Sequence, residues 1–147
     1  ASAQGMVAAA NCAGQDRTMR YDRVPSCIYT LPEIAWVGMT EEAAKAAGHE
    51  VTVGSFNVAA NGRSMVINEP VGLIRLIADK ADGRVLGCQM MAARATDMIA
   101  EIAAVLELGG TVEQLANVIH PHPTVSEIIK EAAHDAEGLC VNAMPRR

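Results

Sequence analysis

Apolar and polar positions change period along the chain. Between Ser26 and Met91 the apolar residues come in short alternating runs. SCIYTLPEIAWVG reads as two strands parted by Pro32, VTVGSFNV as a third, and GLIRLIAD with RVLGCQMM as two more around DKADG, a short Asp/Gly loop that marks a hairpin. Arg75, between Ile74 and Leu76, is the polar position of a strand with one buried face. Beyond this the spacing becomes helical. Ala95, Met98, Ile99, Ile102, Val105 and Leu106 form one stripe with Asp97 and Glu101 off it, and Gly109 and Gly110 stop the helix. Thr111 to Gln114 predicts a capping box opening a helix that carries Leu115 and Val118. Thr124 to Glu127 predicts another, opening a helix through about Asp135 with Ile128, Ile129, Ala132 and Ala133 inward. Earlier, Thr40 heads TEEAAKAAGHE, with Glu41 and Glu42 at the positive end of the helix dipole and Gly48 as C-terminal cap, so a short helix is expected. ANGRSMVINEP reads as an irregular connector, and residues 1–23, Ala-rich and then polar, as a tail or linker. Strands first and helices later predict an α+β fold, an antiparallel β-sheet with helices packed on one face.

Composition narrows the function classes. The 147 residues suit one domain; half are hydrophobic but only 3% aromatic, so the core is aliphatic, with eight Met to fill it. Twelve Lys and Arg against 17 Asp and Glu leave a net charge of −5, which argues against nucleic acid as a partner. No run approaches the ~18 apolar residues of a membrane span, and ASAQGMVAAA lacks the basic flank of a signal peptide, so the expectation is a soluble, cytoplasmic chain. Cys12, Cys27, Cys88 and Cys140 form no C-x-x-C or C-x-x-x-x-C pair and read as reduced thiols; Cys140 has no basic neighbour in sequence until Arg146 and Arg147. So aliphatic a small acidic chain predicts that part of its apolar surface meets a partner.

Reactive groups concentrate in IHPHPTVSE. Pro121 and Pro123 bracket His122, fix their own φ and push each preceding residue out of the helical region, so the His122 imidazole stands on a stiff loop. Glu127, in the first turn of the next helix, is close enough in sequence to turn back and hold one ring N–H, leaving the other nitrogen as a proton acceptor. The same glutamate is also the third residue of a capping box, and both readings stand at this point. His120 and His122 alone are too few for a metal centre, and no metal site is expected. His49 follows a capping glycine and His134 lies near a helix C-terminus; both read as surface residues. With no G-x-G-x-x-G, no Walker loop and no G-x-S-x-G elbow, a catalytic His122 needs its nucleophile and cofactor from elsewhere.

PSCIYTLPEIAWVGMTEEAAKAAG, then SFNVAANGRSM, then G-x-x-R-L-I-A-D and G-R-V-L-G, and finally HPHPTVSEIIKEAA together resemble the C-terminal dimerisation domain of the pyridine nucleotide-disulfide oxidoreductases, closest to the dihydrolipoamide dehydrogenase branch. The likeness runs from about Val24 to Ala136, which makes 24–147 the dimerisation domain; GMVAAANCAG, residues 5–14, resembles the helix that ends the preceding flavin-binding region. The resemblance implies a homodimer using FAD, a redox-active disulfide and NAD, serving the lipoyl domains of 2-oxo acid dehydrogenase complexes. It implies that His122 and Pro123 face the FAD of the opposite subunit, that His122 is acid/base toward the dithiol, that Glu127 orients it, and that the His122–Pro123 bond is cis. HPHPT stands where HAHPT is more common, which stiffens the loop. The FAD and NAD domains of such a parent lie outside this sequence, so the isolated chain is expected to bind neither cofactor and to be inactive. Two alternatives stay open: a stand-alone interaction module without catalysis, or the same domain of another flavin disulfide reductase. Mercuric reductase carries a paired-cysteine tail that this chain lacks, and glutathione reductase departs in the sequence before HPT.

Overall fold

The computed structural model describes residues 1–142. Helix α1 (Ser2–Cys12) buries none of its side chains, and a single 3-10 turn at Tyr21–Arg23 leads from it to the sheet. The alternating runs form the strands β1 (Ser26–Ile28), β2 (Glu33–Gly38), β3 (Val51–Asn57), β4 (Leu73–Asp79) and β5 (Val85–Ala92), paired antiparallel in the order β1-β2-β5-β4-β3. Between β2 and β3 lies α2 (Glu41–Ala46), capped by Thr40 as its sequence predicts.

Period two decides which face each strand residue takes. Ala35, Val37, Phe56, Ile74, Leu76, Cys88 and Met90 point to one side and form a single core with Ile99 and Ile102 of α4 (Ala95–Leu108) and Ile128 and Ile129 of α6 (Glu127–Ala136). Fully burying one such side chain stabilises the fold by roughly 1.5–3 kcal/mol. Gly54 lets α6 sit directly on β3, because a Cβ there would collide with the Ala132 carbonyl and stand 2.8 Å from the Ala136 Cβ. The opposite face carries Trp36, Gln89 and Arg75, neighbours across β2, β5 and β4, and Arg75 pairs there with Glu41 of α2. The expected α+β sheet with helices on one face is the observed architecture, with short α2 as the element on the other side.

Helix ends follow the chain's local chemistry in some places and its tertiary contacts in others. Gly109 closes α4 in the left-handed conformation (φ 65°), with the Gly110 N–H reaching the Val105 carbonyl at 2.9 Å. The capping box of α5 (Val112–Ala116) forms in full between Thr111 and Gln114, but the helix stops at Ala116, so Val118 lies beyond it and is exposed. At the start of α4 no local side chain caps: Arg94 is left-handed (φ 60°), and Glu33 of β2 reaches in to accept from the Thr96 N–H at 2.9 Å and its hydroxyl at 2.6 Å. Residues 60–70 are more ordered than an irregular connector. A 3-10 turn at Val58–Ala60 runs into α3 (Gly62–Val66), because the Asn61 side chain accepts from the Ser64 N–H at 2.8 Å and caps the helix.

Candidate active site

The loop from Asn117 to Ser126 joins α5 to α6 across the end of the sheet. Its centre is His122, whose side chain is 80% exposed and whose peptide bond to Pro123 is cis. The His122 Nδ1 lies 2.9 Å from the Glu127 Oε1, so the ring N–H donates to the carboxylate and the Nε2 lone pair is left facing solvent. The second oxygen, Oε2, accepts the Thr124 N–H at 2.9 Å. Glu127 therefore performs both of the tasks its position suggested, one oxygen for each. Only half of the predicted capping box exists, however. The Thr124 hydroxyl donates to the Pro121 carbonyl at 2.8 Å and lies 2.9 Å from the Ser126 hydroxyl, so it does not cap, and α6 begins at Glu127 with Ser126 as its N-cap. Burial pushes the Glu127 carboxyl up, but the Thr124 N–H and the His122 ring together outweigh this and hold it below the usual glutamate range.

Two supports of this loop escaped the sequence reading. Asn61, itself buried, donates from Nδ2 to the Thr124 carbonyl at 3.0 Å. His120 turns inward, with only 4% of its side chain exposed, and its Nε2 meets the Glu101 Oε1 at 3.0 Å. In sequence Glu101 is simply a polar residue off the α4 stripe, and no spacing signals a partner 19 residues away. An open cleft of about 800 Å³ lies on the Pro123 side, bordered by Leu31, Arg63, Arg94, Met98 and Val125.

The other candidates stand apart from the loop. His49, expected on the surface, is half-buried and its Nδ1 lies 2.6 Å from the Asp79 Oδ2; the Ala81 N–H and then the His49 ring hold that carboxyl below its ordinary range. His134 is half-buried in the last turn of α6. Among the described residues Cys12, Cys27, Cys88 and Cys140 form no disulfide, and burial pushes the Cys88 thiol far up. Cys140 lies 3.4 Å from Glu131, while Arg146 and Arg147 fall outside the described residues. Among the described residues no three His, Cys, Asp or Glu side chains gather as a metal shell, and no helix is long and apolar enough to cross a membrane.

Residues 24–133 match the family described as pyridine nucleotide-disulphide oxidoreductase, dimerisation domain. The chain belongs to that family. Dihydrolipoyl dehydrogenase 2 of Haloarcula marismortui is 42% identical over 142 residues, which are 97% of this chain and 30% of the relative. Dihydrolipoyl dehydrogenase of Bacillus subtilis is 43% identical over 138 residues, 94% of this chain and 29% of the relative. This dimerisation domain thus spans about 30% of the length of curated relatives it matches. Among solved structures, LpdA from Mycobacterium tuberculosis superposes with a TM-score of 0.81 at 26% identity, covering 89% of this chain and 29% of that one. The HOCl-induced flavoprotein disulfide reductase RclA from Escherichia coli superposes with a TM-score of 0.76 at 27% identity, covering 90% and 30%. The domain is therefore a pyridine nucleotide-disulphide oxidoreductase dimerisation domain, similar to the matching part of the dihydrolipoyl dehydrogenases.

Proposed function

We propose that this domain completes the active site of a dimeric, FAD- and NAD-dependent dihydrolipoamide dehydrogenase. In that reading His122 accepts a proton from a substrate thiol at Nε2 and Glu127 fixes the ring that receives it. The observation that carries the reading is the His122 ring itself: Nδ1 committed to a carboxylate at 2.9 Å, Nε2 without a partner among the described residues, and the whole ring 80% exposed. An imidazole near 6.5 is largely neutral where a thiol near 8.5 still holds its proton, so the ring can take that proton and later return it. The carboxylate selects the tautomer with Nε2 free and stabilises the cation that forms after transfer.

An exposed basic ring on a proline-stiffened loop can act only on chemistry brought to it from another surface. The His122–Pro123 segment fits such a meeting: it projects from the domain, is rigid, and presents one free ring nitrogen. In the full-length protein the redox-active disulfide and FAD would take up the electron pair of the dithiol, and His122 with Pro123 would lie against the flavin from the opposite subunit. The redox-active disulfide and the NAD site belong to the other domains, and the lipoyl domains of 2-oxo acid dehydrogenase complexes bring the substrate. The exposed apolar residues Tyr29, Leu31, Val66 and Ile119 are consistent with a surface that is covered in such an assembly.

The test is His122→Ala in the full-length protein. Oxidation of dihydrolipoamide should fall by ~10² to 10⁴ while the melting temperature stays unchanged. A folded variant with nearly undiminished turnover removes His122 from the chemistry.

A further inference from the structure

We propose that the pair formed by the buried His120 ring and the half-buried Glu101 is the positioning element of the His122 loop, clamping it to α4 while Glu127 holds it from α6. This rests on the reading of His122 as the proton acceptor.

The geometry of His120 differs from that of its neighbour two residues on. Its side chain is 4% exposed, and both ring nitrogens face acceptors: Nε2 the Glu101 Oε1 at 3.0 Å, Nδ1 the Val118 carbonyl at 3.3 Å. A neutral imidazole has one N–H and can satisfy only one of these, whereas the imidazolium donates to both. The charged groups that face it are Glu101 from α4, which favours the cation, and Lys130 from α6, which opposes it. The hydrogen bond to Glu101 outweighs burial and raises the His120 pKa. His120 thus has no nitrogen free for substrate.

The segment from His120 to Pro123 carries that anchorage to the reactive ring. Pro121 and Pro123 have fixed φ, and His120 and His122 each precede a proline, so few soft torsions lie between the buried ring and the exposed one. Fixing His120 against α4 therefore fixes the backbone of His122, and Glu127 has only the ring torsions left to set. Displacing such a ring by ~1 Å costs on the order of 10² in rate.

The experiment uses Glu101→Ala, with Glu101→Gln as the variant that keeps an acceptor for the His120 N–H. In this chain, the ring ¹⁵N shifts of His122 report which nitrogen carries the proton. The tautomer with Nδ1 protonated should dominate in the unaltered chain, lose its dominance in Glu101→Ala, and be largely restored in Glu101→Gln. In the full-length protein, kcat for dihydrolipoamide oxidation should fall ~10- to 100-fold in Glu101→Ala, with KM within about twofold and partial recovery in Glu101→Gln. An unchanged His122 tautomer in folded Glu101→Ala overturns the proposal, as does equal loss of turnover in both variants. If His122→Ala keeps full turnover, the acid/base reading fails, and the ¹⁵N shifts in this chain still decide whether His120 and Glu101 hold the loop.

Discussion

His120 and His122 stand two residues apart, each paired with a glutamate on a helix at about the same distance, 3.0 Å and 2.9 Å, and they are fitted for opposite work. His120 is inside, with both nitrogens engaged and its pKa raised by Glu101. His122 is outside, with one nitrogen engaged and the other free. The difference comes from the second nitrogen: a carbonyl at 3.3 Å completes the ring of His120, while nothing among the described residues meets the Nε2 of His122. A carboxylate beside an imidazole thus makes an anchor or a base according to what faces the far side of the ring.

The largest way to break this comparison is to push α6 away while leaving α4 in place. Gly54 faces the Ala132 carbonyl, and Gly54→Ala puts a methyl group into helix backbone that cannot rotate away. Stability to urea should fall by about 3 kcal/mol. In whatever native population remains, the His122–Glu127 bond should weaken before the His120–Glu101 bond does, because Glu127 rides on α6 and Glu101 on α4. Ring ¹⁵N shifts of the two histidines, followed together through a urea titration, check the order.

A narrower change separates the two tasks of Glu127. Glu127→Gln keeps the size and an acceptor for the Thr124 N–H or the His122 ring, but removes the charge that stabilises an imidazolium. Dihydrolipoamide oxidation in the full-length protein should fall by about tenfold, and its acid limb should move to lower pH, since the neutral side chain no longer favours a charged His122. Helix α6 should persist, because Ser126 rather than Thr124 is its N-cap. A rate and pH profile equal to those of the unaltered protein would assign Glu127 to holding the Thr124 N–H alone.

These expectations rest on features that the sequence displays unevenly. The strands, the β4–β5 hairpin and the α4 stripe are legible because period two and period 3.6 are local signals: of the six stripe positions Ala95, Ile99, Ile102 and Leu106 are buried, and Met98 and Val105 pack half-buried against the core. His122 and Glu127 are legible for the same reason, five residues apart on either side of a proline. Thr124 misled because a capping box requires two bonds and its sequence pattern promises both; the competing Pro121 carbonyl and Ser126 hydroxyl took the threonine side chain. Glu33 on Thr96 and Asn61 on Thr124 each join residues 63 apart, and such pairs exist only once the sheet has folded. Residues 62–66 form a helix of a single short stretch whose cap is a buried asparagine, a signal too brief for periodicity to carry.

The smallest effect, and the one that isolates His120, is in the pH dependence of stability. His120 has a folded pKa raised above the ordinary 6.5, chiefly by the hydrogen bond to Glu101. A group of that kind stabilises the fold fully below about 6.5, where it is protonated in both the folded and unfolded chain, and the contribution fades as pH rises through the folded value. Removing the ring in His120→Ala should therefore cost about 1–2 kcal/mol at pH 6, discounted from a fully buried pair because Glu101 is 31% exposed, and less at pH 8.5. His122→Ala, whose ring is 80% exposed, should leave the unfolding curve alone at both values. Urea unfolding of the two variants at pH 6 and pH 8.5 measures the contrast. A pH-independent loss in His120→Ala would mean that the buried ring contributes by packing rather than by charge, and the two histidines would then differ in burial alone.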